Sequence, residues 1–188
     1  MNDHTDAKTG QATRPPQDLE LERVNAAAVD REQRKGSEAA ANAGAGNGDA
    51  IDRNAMISLL NDDLRTEYQS ILQYILHSST LKGAEYAGTI AELKTHLSQE
   101  LNHALILAEQ IDFLGGTPSV DVPRVDDETD TIPALQSDLD LENKQLVRYR
   151  ERVQQAQDAG LPDVAEALRP LLEQTQEHVR DLRSALGV

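Results

Sequence analysis

Glu100 and His103 stand three residues apart in a long helical pattern, so they share one face, and a carboxylate beside an imidazole suits a first-row metal ion. The apolar residues around them, Ile90, Leu93, Leu97, Ala104, Leu107, Ile111 and Leu114, recur at steps of three and four, and Glu100 fills the gap in that rhythm. A carboxylate in an apolar seam is costly unless something neutralises it. Comparable gaps occur elsewhere: Glu67 lies between Leu64 and Ile71, Glu142 between Leu139 and Leu146, and Thr175 with His178 between Leu171 and Leu182. A lone seam glutamate such as Glu67 can equally sit at the edge of its stripe and reach solvent. Three carboxylates meeting in one apolar core are different, because they raise one another's pKa values and destabilise the fold unless protons or a divalent cation compensate. A metal ion is the better account.

The elements that must position these residues are four helices, predicted over residues 55–80, 85–114, 132–159 and 163–186. Gly83, the Gly115-Gly116-Thr117-Pro118 run and Gly160-Leu161-Pro162 interrupt the periodicity between them. Short turns make the first and second helices, and the third and fourth, antiparallel neighbours. Residues 117–131 carry Pro118, Pro123 and the acidic cluster Asp126-Asp127-Glu128, and are long enough to cross from one end of a bundle to the other.

The chain has 188 residues, which suggests one domain, and all its aromatic residues (Tyr68, Tyr74, Tyr86, Phe113 and Tyr149) fall after residue 50. Residues 1–50, with Pro15-Pro16 and an Ala/Gly-rich run from residue 39, have the composition of a disordered acidic tail, leaving 51–188 as the folded domain. Cysteine is absent, so any metal site is built from carboxylate and imidazole. The net charge of −15 disfavours nucleic acid and anionic membranes as partners and favours cations. Without an apolar run long enough for a signal peptide or membrane span, a cytoplasmic protein is the expectation.

Residues 61–77, containing Glu67-Tyr68-Gln69-Ser70-Ile71-Leu72-Gln73-Tyr74-Ile75-Leu76-His77, resemble the first helix of the bacterioferritins. Similar to that family too are residues 99–118, with the ending Ile111-Asp112-Phe113-Leu114-Gly115-Gly116-Thr117-Pro118, and Asp138-Leu139-Asp140-Leu141-Glu142. The resemblance covers about residues 55–186 and implies an all-α, ferritin-like, up-down-down-up four-helix bundle with one long crossover. It puts Glu67, Glu100, His103, Glu142 and His178 on metal-ligand positions, and Tyr74 on that of a tyrosine beside the site, where ordinary core packing is the alternative role. Two departures stand out. The family's last helix offers a second Glu-x-x-His, but Thr175 stands three residues before His178, and its neutral hydroxyl is a weak ligand. Glu173 and Glu177 lie on other faces of that helix, leaving Gln174 or His96 as residues that could approach the site. The position of the family's haem-ligating methionine is matched by Leu101, so haem held in that way is not expected.

The resemblance therefore implies a homo-oligomer, dimer or cage, that binds iron at a di-iron site and oxidises Fe(II) for storage or detoxification. The rival expectation is a non-catalytic four-helix module, its site decayed at Thr175, that acts through its tail or an oligomer interface. A DNA-protecting mini-ferritin fits less well, since its tail should be basic.

Overall fold

The computed structural model describes residues 51–188, so the expected tail at 1–50 lies outside the described residues. These fold into four α-helices, α1 (Arg53–Thr80), α2 (Ala87–Phe113), α3 (Thr131–Asp158) and α4 (Pro162–Leu186), with one turn of 3-10 helix at Ala84–Tyr86 and, among the described residues, no strand. The observed helices match the predicted ones except at their ends. The second starts at Ala87 rather than at residue 85, because the chain leaves Gly83 at a φ of +121° and makes the 3-10 turn first.

Local chemistry sets the ends. Asp52 caps α1, its Oδ1 accepting from the Ala55 N–H at 2.7 Å. α2 closes in a reciprocal pair of bonds, with Gly115 N–H donating to Asp112 and Gly116 N–H to Ile111, and Gly115 takes the left-handed φ of +82° that this closure requires. Gly116 is needed for a second reason, since a Cβ there would come within 2.6 Å of the Ile57 side chain. Gly160 closes α3 in the same way and leads directly into Pro162 at the start of α4.

Cross-helix pairs give the topology. Asp63, Glu67 and Tyr74 of α1 pair with Arg152, Tyr149 and Glu142 of α3, rising numbers against falling ones. His96, Gln99 and His103 of α2 likewise meet Asp181, His178 and Gln174 of α4. Both pairs of helices are therefore antiparallel, and with short turns joining α1 to α2 and α3 to α4 the order is up-down-down-up, as expected. The crossover between α2 and α3 is pinned to α1: Asn61 accepts from the Ser119 N–H at 2.6 Å and donates to the Thr117 carbonyl, while the Tyr68 hydroxyl donates to Ser119.

The apolar core comes in two clusters. One gathers Met56, Leu60, Leu64, Leu107, Ile111, Val164 and Leu168; the other holds Leu93, Ala134, Leu135, Leu139, Val179 and Leu182. Complete burial of each large aliphatic side chain stabilises the fold by about 1.5–3 kcal/mol. One seam position departs from expectation: Leu97 is only partly buried, while His96, one residue earlier, is 2% exposed. A straight helix at 3.6 residues per turn drifts off a strict alternation of threes and fours, and here the drift rotates His96 inward. No helix among the described residues is long and apolar enough to cross a membrane.

Candidate metal centre

Each helix carries a polar side chain to the middle of the bundle. α1 supplies Glu67, α2 supplies Glu100 and His103, α3 supplies Glu142 and α4 supplies His178, and all five are at most 1% exposed. Glu67 does not use its freedom to reach solvent. One donor atom each from Glu67, Glu100 and His103 lie within 4.8 Å of one another, and the same holds for Glu100, Glu142 and His178. Glu100 thus belongs to both groups and presents a different oxygen to each. Its Oε2 lies 2.7 Å from His103 Nδ1, and its Oε1 lies 3.0 Å from His178 Nδ1. Glu67 Oε2 completes the first group at 3.7 Å from His103 Nδ1, and Glu142 Oε2 the second at 3.4 Å from His178 Nδ1.

A layer of donors and acceptors aims these groups. Tyr149 and Gln145 of α3 both donate to Glu67 Oε1, and Ser70 in turn donates to the Gln145 amide oxygen. The Tyr74 hydroxyl donates to Glu142 Oε1 at 2.6 Å. Behind the imidazoles, Gln174 Oε1 accepts from His103 Nε2 at 2.7 Å and Gln99 Oε1 accepts from His178 Nε2 at 2.8 Å. With Nε2 committed outward, Nδ1 of each ring faces the carboxylates. The outer oxygens of Glu67 and Glu142 are satisfied and the inner ones are not.

Four buried atoms of the cluster have no hydrogen-bond partner: Glu67 Oε2, Glu100 Oε1, Glu142 Oε2 and His178 Nδ1. Buried polar atoms are nearly always paired, so four orphans turned toward one another need a common partner. Nitrogen and oxygen donors about 2.0–2.2 Å from a shared ion, at angles between square and tetrahedral, lie about 3.0–3.5 Å apart. The two distances from His178 Nδ1 fall in that range, so the donor set fits a divalent ion on that side of Glu100; on the other side the distances from His103 Nδ1, 2.7 and 3.7 Å, bracket it.

Without metal, protons balance the charge. Burial, with the Glu100 charge beside it, pushes Glu67 up to about 8. Burial alone would depress both histidines, but the hydrogen bond to Glu100 and the Glu67 carboxylate beside it hold His103 up at about 11. The carboxylates of Glu100 and Glu142 likewise hold His178 at about 10. Burial and the Glu142 charge act to raise Glu100, yet the Glu67 carboxyl and the two imidazoles facing it outweigh them and keep it below the usual carboxylate value. Glu100 is the anion around which the cluster is built.

Thr175 is fully buried three residues before His178, but its hydroxyl turns back to donate to the Leu171 carbonyl at 2.8 Å. Of the residues expected to approach in its place, Gln174 stands behind His103, while His96 stacks on the His178 ring with centroids 4.1 Å apart. The sequence reading did not assign Gln99, Gln145 or Tyr149 to the site, although Gln99 adjoins Glu100 and Tyr149 lies on the α3 seam one turn past Gln145. Two further buried pairs on the α1–α3 interface also escaped it. Arg152 binds Asp63 at 2.6 Å, and His77 meets Asp138 at 2.9 Å, with Gln73 donating to the same aspartate.

The family model of the ferritin-like domain matches residues 57–188. The chain is 28% identical over 134 residues to a bacterioferritin from Desulfovibrio desulfuricans, covering 70% of this chain and 75% of the relative. Among solved structures it is similar to a ferritin-like, diiron-carboxylate protein from Bacillus anthracis, at 29% identity and a TM-score of 0.68, covering 71% of this chain and 96% of that one. A bacterioferritin-related, dodecameric thioferritin from Bacteroides fragilis shares the fold at 24% identity and a TM-score of 0.63, covering 73% of this chain and 87% of that one. The chain belongs to the ferritin-like domain family, as a bacterioferritin-like member.

Proposed function

We propose that the protein takes up two Fe(II) ions per chain, one on each side of Glu100, and oxidises them for storage or detoxification. The observation that carries this reading is the divided carboxylate: the two oxygens of Glu100 face separate histidine–glutamate pairs whose inner atoms are largely unpaired. Glu67 and His103 would hold one ion and Glu142 and His178 the other, with Glu100 between them. Iron supplies the redox chemistry, each Fe(II) giving up one electron, so that a pair reduces O₂ to hydrogen peroxide or peroxide to water.

The chain's own part is positional and protonic. Gln99 and Gln174 keep Nδ1 of both rings directed inward, and Tyr149, Gln145 and Tyr74 hold the outer carboxylate oxygens so that the inner ones are free. The Nδ1 protons of both histidines and the proton on Glu67 leave as the ions arrive. Tyr74, bonded to Glu142, is the residue best placed to steady that carboxylate during oxidation or to donate an electron. Carboxylates favour the harder Fe(III) product, and the acidic surface favours cation accumulation.

Thr175 supports the rival reading, an inert four-helix module, because three carboxylates against two divalent ions leave one positive charge uncompensated. Anaerobic titration with Fe(II), followed by air, separates the two. The di-iron reading requires two equivalents bound and a rise in ferric-oxo absorbance; no binding and no absorbance change would favour the module. Assembly into a homo-oligomer, dimer or cage, is part of the proposal. Leu72 and Ile75 on α1, and Leu101 and Leu105 on α2, are 41–58% exposed and offer apolar surface for it. Mass photometry distinguishes dimer from cage, and a monomer would remove storage from the reading.

A further inference from the structure

The central cluster is not the chain's only grouping of metal-ligating side chains. Near the start of α2 and the end of α4, Glu92, His96 and Asp181 bring a ring nitrogen and one oxygen from each carboxylate within 4.8 Å of one another. All three line a cavity of about 510 Å³ between these helix ends, together with Glu85, Thr89 and Ser184. Glu92 and Asp181 reach solvent there, whereas His96 is 2% exposed.

The bonding of His96 is incomplete. Its Nε2 lies 3.3 Å from Asp181 Oδ2, and its buried Nδ1 has no partner. If Nε2 carries the proton, the Nδ1 lone pair faces no donor. If Nδ1 carries it, the Nε2 lone pair confronts a carboxylate oxygen, and a buried N–H is left unpaired. Neither tautomer satisfies the ring. With the proton on Nδ1, a cation between Nε2 and Asp181 Oδ2 turns the clash of two lone pairs into two bonds, and 3.3 Å is the separation of two donors on one tetrahedral ion with bonds of about 2.0–2.1 Å.

We propose that Glu92, His96 and Asp181 form an additional, solvent-facing site for a divalent first-row metal ion. One imidazole and two carboxylates suit Fe(II), Zn(II) or Co(II). The same imidazole lies flat against His178, with ring centroids 4.1 Å apart and planes 29° from parallel. The His96 ring therefore joins this group to the inner cluster by direct contact with His178. The use of this group as a loading station rests on the proposed di-iron reading; the site itself does not.

Co(II) is the probe, titrated anaerobically into the full chain and followed by calorimetry and by its visible absorption. Glu92→Gln with Asp181→Asn removes two ligands that lie in water, so the fold is kept, as thermal melting would verify. His96→Phe keeps a flat ring against His178 and removes the nitrogen. Wild type should bind one more Co(II) per chain than either variant. In the Glu100→Ala background, which disables the central cluster, the same one-ion difference should persist. Equal Co(II) uptake by wild type and the Glu92→Gln/Asp181→Asn protein overturns the site, whatever the central cluster does. If Fe(II) is oxidised, that double variant should react about tenfold more slowly at iron below two equivalents. An unchanged rate overturns the loading role.

Discussion

Glu100 has a role no other residue duplicates, because each of its oxygens serves a different half of the centre. The residues behind the imidazoles deserve equal weight in any test. Gln99→Ala or Gln174→Ala frees one Nε2 and releases the ring from its orientation, which should weaken metal binding about 10–100-fold in a calorimetric titration. The loss should fall on the half served by the affected histidine. Tyr149→Phe deletes one of the two donors to Glu67 Oε1, a loss of about 1–3 kcal/mol in the unfolding of the metal-free protein. Thr175→Glu gives results of opposite sign in the two states. Without metal, a fourth buried carboxylate should lower the melting temperature; with metal, the restored negative charge should tighten the weaker ion about tenfold or more. Equal tightening of neither ion would show that position 175 is too far from the centre to contribute.

At the scale of the element, helix periodicity made the scaffold and its ligands readable together. Glu67, Glu100 and Glu142 appear in the sequence as polar residues at apolar seam positions, and all three are buried in the bundle middle. The supporting residues were harder to read because glutamine and tyrosine are unremarkable on a helix, and their role depends on which neighbour they meet. Gln174 shows the difficulty: one residue before Thr175, it looked like a substitute ligand, yet it points at the far side of His103. His96 escaped the seam because Leu97 satisfied the expected apolar spacing, and only helical drift turns the histidine inward. The register of α1 against α3 rests on polar pairs from Asp63–Arg152 through Glu67–Tyr149 to Gln73–Asp138. The start of the crossover is held by Asn61, which both accepts from Ser119 and donates to Thr117, and by Tyr68, which donates to Ser119. Asn61→Ala should cost about 1–3 kcal/mol in chemical denaturation and speed amide exchange at residues 117–119, leaving the rest of the bundle protected.

For the whole molecule, the buried protons predict how stability follows pH. Glu67 in the folded, metal-free protein holds its proton up to about 8, against an ordinary value of 4.5, so its contribution is complete below 4.5 and is lost as pH rises through 8. His103 and His178, raised from 6.5 to about 11 and 10, contribute fully below 6.5 and lose that contribution through the folded values. All three have the same sign. The metal-free protein should therefore lose stability between about pH 5 and 11, while metal affinity should rise over the lower part of that range as the competing protons leave. Thermal melts with and without Mn(II) would check both trends, and parallel pH profiles would contradict them. The most direct test of the central claim is anomalous X-ray diffraction from crystals soaked anaerobically in Fe(II), recorded at the iron edge. The account predicts two peaks about 3.5–4 Å apart, one on each side of the Glu100 carboxylate, the first beside Glu67 and His103 and the second beside Glu142 and His178. An interior without iron between these residues would contradict it.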